Sequence, residues 1–243
     1  VYGSNTGQFN DVIKVGTDLY LAGRISDGSV DQAILVKATT TGTITWERTI
    51  EHSSSGNSSG WNSLAHQNEE GTDYIYMVGF VVPTGDTQAL IAKYQDDGST
   101  IWKKRMNIAS NKANSWRGIR IYNGEILLIG DHEKAGSFDL NGSIAFIDTD
   151  GNFVSDTNKQ LSSNAGGTMV FYDAYFDAYN IWVVGSNAGK GVYTKINRST
   201  YDDEWTYKTT DDGELFSIVP INENSELLIG GSIEFAFNTT SGS

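Results

Sequence analysis

Three observations on the sequence predict an all-β fold. Short apolar strands ending in glycine recur five times, an aromatic residue precedes each glycine, by fourteen positions in four of the five, and the stretches between them are rich in Gly, Asn and Asp turns. No helical periodicity longer than a turn interrupts them. The recurring segments are DLYLAG ending at Gly23, YIYMVG at Gly79, EILLIG at Gly130, NIWVVG at Gly185 and ELLIGG with Gly230, spaced by 56, 51, 55 and 45 residues. Four antiparallel strands repeated at that period predict a five-bladed β-propeller. Its last blade is expected to be incomplete, because the chain stops just past the turn glycine Gly242.

The elements follow in order. In the first unit the strands are expected at about 9–15, 18–24, 32–38 and 43–50, and the blades at about 9–51, 61–107, 116–161, 169–210 and 215–243 of one domain, 1–243. Phe9, Trp116, Phe171 and Phe216 each stand fourteen positions before their glycine; Trp61 stands eighteen before because its hairpin, HQNEEGTD, is longer. Downstream, a small residue sits six before a turn glycine in VKATTTG, AKYQDDG, AFIDTDG and AFNTTSG, and Trp46 and Trp102 follow Gly42 and Gly98 by four. The third unit has Ser155 there, and the fourth replaces the turn by INRSTYDDE and still reaches Trp205.

The segments AKYQDDGSTIW and VKATTTGTITW resemble the tryptophan-docking repeat of quinoprotein-type propellers, and the whole unit is similar to bacterial extracellular propeller repeats. The resemblance implies that Trp46, Trp102 and Trp205 pack between neighbouring blades. It covers nearly the whole chain, but its motifs are structural. No cofactor residues match, so it implies the fold and not dehydrogenase activity.

Composition narrows the function. With 30 acidic against 17 basic residues the formal charge is −13, which disfavours nucleic acid as a partner. No apolar run approaches the roughly 20 residues of a membrane helix. The absence of cysteine excludes disulfides, thiolate metal sites and Cys nucleophiles, and leaves the redox compartment open. The start at Val1, with neither methionine nor a signal-like segment, points to a processed or excised piece.

Chemistry-bearing residues are few. The loops between blades and those between second and third strands are expected on one face, the functional one. The ring of Phe9, Trp61, Trp116, Phe171 and Phe216 reads as inter-blade packing. Alternatively, Trp61 and Trp116, with the polar neighbours Asn10, Asn62, Arg117, Tyr172 and Ser217, line a funnel in which a sugar stacks on rings and is held by amides. Phe138 is a further candidate from a loop. DTDGN at 148–152 lacks the Gly and Glu positions of an EF-hand and reads as a hairpin turn. His52, His66 and His132 fall at non-equivalent places, so no metal site and no cofactor is expected. Asp11 and Asp173, each two residues after its aromatic, read as backbone-bonding residues, with a glycosidase pair as the alternative. Sequons occur at Asn57, Asn141, Asn197 and Asn238.

These readings converge on a non-catalytic recognition module outside a cell, on a secreted, cell-surface or virion protein, taking a glycan or a protein surface. Two alternatives stand beside it. One is a virion or filament structural subunit that self-assembles or accepts a partner strand at the open fifth blade; the other is a glycoside-cleaving enzyme.

Overall fold

Strand-forming runs and turn glycines organise the computed structural model into seventeen strands, with no helix among the described residues, which are 6–26, 28–50, 57–83, 86–106, 113–154, 157, 159–161, 167–221 and 226–233. The first blade is β1 (Thr6–Val15), β2 (Asp18–Ser26), β3 (Asp31–Thr39) and β4 (Ile44–Thr49), antiparallel in that order. The second is β5 (Ser58–Glu69), β6 (Thr72–Val82), β7 (Gln88–Gln95) and β8 (Thr100–Arg105). The third is β9 (Asn114–Tyr122), β10 (Glu125–Glu133), β11 (Leu140–Ile147) and β12 (Lys159–Leu161), and the fourth opens with β13 (Met169–Phe176), β14 (Asn180–Asn187) and β15 (Lys190–Asn197). The 19-residue β16 (Asp203–Ile221) closes the fourth blade and then opens the fifth by pairing with β17 (Glu226–Ile233). The chain is thus a five-bladed propeller series, as its repeats predict.

Two differences from the expected strands have local causes. The stretch 211–214, left between the expected fourth and fifth blades, is strand, because its backbone finds ladder partners on both sides: Asp212 opposite Lys190, and Gly213 opposite Ile233. In the third blade the outer strand shrinks to three residues. There Phe153 bridges to Ile147, and the Thr157 hydroxyl donates to Val154 O at 2.8 Å while accepting from Phe146 N at 3.1 Å.

The repeat glycine has a physical reason. Each inner strand carries a bulge directly after its ring position, at Phe9/Asp11, Trp61/Ser63, Trp116/Gly118, Phe171/Asp173 and Leu215/Ser217. The carbonyl before the ring residue is thereby driven onto the partner strand, 2.0–2.2 Å from where a Cβ would stand on Gly23, Gly79, Gly130, Gly185 or Gly231. Only glycine fits. This corrects the fifth repeat: its glycine is Gly231 rather than Gly230, and its ring position is Leu215 rather than Phe216. ELLIGG contains two glycines, and only the pressing carbonyl of Glu214 distinguishes them.

Between blades lie the cores. Tyr20, Leu35, Trp61, Leu64 and Met77 close the first onto the second. Tyr76, Ile91, Trp116 and Leu128 join the second and third, and Leu127, Phe146, Phe171 and Val183 the third and fourth. Tryptophan docking adds to two of these seams. The Trp46 indole donates to Asp96 O at 3.1 Å and the Trp102 indole to Thr149 O at 3.0 Å, both two residues before the next blade's turn glycine. The buried Lys37 and Lys93 fasten the same turns: Lys37 reaches Asp96 at 2.5 Å, and Lys93 reaches Thr149 O at 3.5 Å with Glu69 at 2.7 Å. Trp205 packs edge-on against Tyr193 of its own blade at 4.8 Å. The turn it would dock on by repeat, 239–242, lies outside the described residues, as do Val1, Tyr2, Ser155 and Gly242.

Candidate ligand site at the inner strands

The bulged residue of each inner strand is set at one register, and the five positions hold four residue types: Asn10, Asn62, Arg117, Tyr172 and Phe216. Each of the first four reaches the next inner strand. Asn10 Nδ2 donates to Trp61 O at 2.7 Å, and Asn62 Nδ2 to Trp116 O at 2.8 Å. The Arg117 guanidinium lies over the Tyr172 ring at 5.5 Å, and the Tyr172 ring meets that of Phe216 at 5.3 Å. The first two steps are amide clasps satisfied by backbone; the last two expose side-chain chemistry.

That second half forms a junction of three blades. Arg117 Nε donates to the carboxylate of buried Asp131. Burial pushes the Asp131 carboxyl upward, against the pull of the guanidinium. The Tyr172 hydroxyl donates to Glu214 Oε1 at 2.9 Å. Burial first, and then that carboxylate, push the phenol up to about 12, so Tyr172 remains a neutral donor near neutral pH. Arg117, Tyr172 and Glu214 are half-buried, and Phe216 is 45% exposed beside them. A guanidinium fork, a carboxylate and an open ring face therefore adjoin within one patch.

The other expected site residues lie elsewhere. Trp61 and Trp116 are fully buried in the blade cores, so neither offers a face to a ligand; a ring at the bulge flank is pressed into the seam by the sheet beside it. Ser217 stands one position beyond the bulge and donates to Asp173 Oδ2 at 3.2 Å, a consequence of the corrected register. Phe138 is 95% exposed, and among the described residues no ring contact joins it to the junction. Asp11 accepts from Ser63 Oγ at 2.7 Å and Leu64 N at 3.0 Å; Asp173 accepts from Ile218 N at 3.1 Å and pairs with Arg120 at 2.5 Å. Both carboxylates join one blade to the next.

Of the histidines, His66 pairs with Asp73 at 2.8 Å, His132 is buried against Ser143 at 2.8 Å, and His52 lies outside the described residues. Asp148 caps its own turn by accepting from Asn152 N at 2.7 Å. Among the described residues no cluster of acidic and histidine side chains could hold a metal. Asn57 and Asn141 are buried, the Asn197 side chain holds a turn through Ser199 N at 2.9 Å, and Asn238 lies outside the described residues.

Sequence reasoning missed Asp131 and Glu214. The first directly follows a repeat glycine and the second directly precedes a ring position, places held in other blades by Arg24, Phe80, Gln8 and Ser115. Variation at those two places was the available signal. Some polar space also adjoins the first blade: a cavity of about 240 Å³ lined by Thr6, Gly7, Gln8, Arg24, Ser26 and Asp31, where Arg24 pairs with Asp31 at 3.2 Å.

No protein-family model matches the chain. A search of curated proteins likewise found no match. Solved structures do resemble it. The Dos1 propeller superposes with a TM-score of 0.54 at 10% identity, over 90% of this chain and 51% of that one. A subtype N10 neuraminidase-like protein of A/little yellow-shouldered bat/Guatemala gives 0.56 at 12% identity, over 94% and 76%. A thermostable family-43 glycoside hydrolase gives 0.51 at 10% identity, over 93% and 83%. The likeness is one of fold. The chain spans about half the length of the Dos1 propeller chain.

Proposed function

We propose that this chain is a non-catalytic recognition module, acting outside a cell, that takes a glycan at the junction of its third, fourth and fifth blades. The observation that carries the reading is the half-exposed set of Arg117, Tyr172, Glu214 and Phe216, built on bulges that vary while the strands around them repeat. A sugar presents an apolar CH face to a ring and hydroxyls to a guanidinium and a carboxylate, and such a patch offers both. The acidic surface agrees with a partner other than nucleic acid.

A glycan-array screen tests this, with light scattering on the same preparation over a concentration series. The expected result is a saturable hit on a monomer, weakened at least about tenfold by Tyr172→Ala, the equivalent of about 1.4 kcal/mol. A hit that Tyr172→Ala leaves unchanged moves the site elsewhere. One observation favours a second reading as a self-assembling subunit: Val219 and Leu228 of the fifth blade and Val12 of the first are exposed on sheet faces. That reading expects mass to rise with concentration and no glycan hit.

A further inference from the structure

We infer that the ligand of this junction is a glycan unit without a carboxylate, one that donates a hydroxyl to Glu214 and lays its apolar face on Phe216. The inference rests on the recognition reading above and specifies its ligand class. The argument is one of charge and of donors against acceptors.

The junction brings together one cation, Arg117, and two carboxylates, Asp131 and Glu214. Arg117 is already engaged by Asp131, and its face is spent on the Tyr172 ring. The nearest further arginine on the same inner strand, Arg120, is bound to buried Asp173 at 2.5 Å. A ligand carboxylate drawing either guanidinium away would leave a buried aspartate uncompensated, which is a costly exchange. It would also be brought close to Glu214, charge against like charge.

A hydroxyl meets no such opposition. Tyr172 occupies Glu214 Oε1, and no hydrogen bond to Oε2 is found among the described residues, so that oxygen stands as an acceptor for a donor brought by the ligand. The remaining N–H groups of Arg117 can donate to a neutral ring or hydroxyl oxygen without breaking the Asp131 pair. Phe216 supplies the adjoining ring face.

The test takes the full chain and measures affinities for neutral oligosaccharides on an array, then for each hit carrying one added sialic or uronic acid. Neutral hits are expected, weakened about tenfold or more by the added acid. In Glu214→Gln that penalty is expected to shrink to about threefold or less, while Phe216→Ala weakens neutral and acidic forms alike. Preferential binding of the acidic forms overturns the inference and leaves the recognition reading standing. An acid penalty that is unchanged in Glu214→Gln also overturns it, because the discrimination then lies elsewhere. No hit in either class overturns the recognition reading and this inference together.

Discussion

The rear face of the first blade and the same face of the later blades carry similar residues at one register, yet they meet different surroundings. Val12 is 53% exposed, whereas its counterparts Leu64, Ile119, Ala174 and Ile218 are 2%, 0%, 1% and 2% exposed. Phe9 is 44% exposed where Trp61, Trp116 and Phe171 are wholly buried. At the other end of the series Val219, Ile221 and Leu228, the counterparts of Ile13, Val15 and Tyr20, are exposed as well. Among the described residues the packing runs from the first blade to the fifth, and nothing of comparable extent covers the first blade's rear face. Burial in this fold therefore comes from the neighbouring blade and not from the side chain's own hydrophobicity. A repeat position is energetically decisive only where the next sheet lies on it.

The sharpest way to break that comparison is at the bulge glycines, where the largest effect is expected. Gly79→Ala places a methyl 2.0 Å from Gly60 O, and a loss of about 4 kcal/mol or more, or failure to fold, is expected in denaturant unfolding. Gly231→Ala meets Glu214 O at 2.2 Å, whereas Gly230→Ala meets nothing within 4 Å and is expected to stay within about 0.5 kcal/mol of the parent. Equal costs at Gly230 and Gly231 would contradict the register found for the fifth blade.

Next in size is the contrast between Leu64 and Val12. Leu64→Ala is expected to cost about 2–5 kcal/mol through lost burial and a cavity between the first two blades. Val12→Ala, at the same register on an open face, is expected to cost no more than about 0.5 kcal/mol. Chemical denaturation of both variants checks this. Similar losses would mean that the first blade's rear face is covered in solution.

The smallest effect concerns the junction of the fourth and fifth blades. Tyr172 has a raised pKa, so the stability it contributes is fully present below the ordinary tyrosine value of 10.0 and is lost as pH rises toward about 12. Tyrosinate absorbance, taken as the difference between the parent and Tyr172→Phe, should show this late titration. Glu214→Gln should move it to lower pH, because a neighbouring anion is removed. A midpoint unmoved by that substitution would mean that the two side chains do not meet.

How much of this was legible depended on what repeats. Strand order, blade period and the docking tryptophans Trp46 and Trp102 were readable because every blade needs the same glycine under the same carbonyl, and the first two blades each set an indole on the same turn of the next. The last blade misled by one residue because ELLIGG offers two glycines, and spacing alone does not say which one faces Glu214 O. The candidate site was half legible. Arg117 and Tyr172 announced themselves as odd residues beside a regular aromatic position, and so did Asn10 and Asn62, which proved to be clasps. Asp131 and Glu214 did not.

By itself the sequence determined the all-β class, the fivefold repeat and the turns, since those follow from local sterics and hydrophobic period. Only the tertiary structure decided which ring is buried, which amide is spent on the next blade, and where cation, carboxylate and ring adjoin. Those outcomes depend on contacts between blades, across 42 to 55 positions of chain, such as Tyr172 with Glu214, Asn62 with Trp116 and Arg117 with Tyr172. No local pattern encodes such distances.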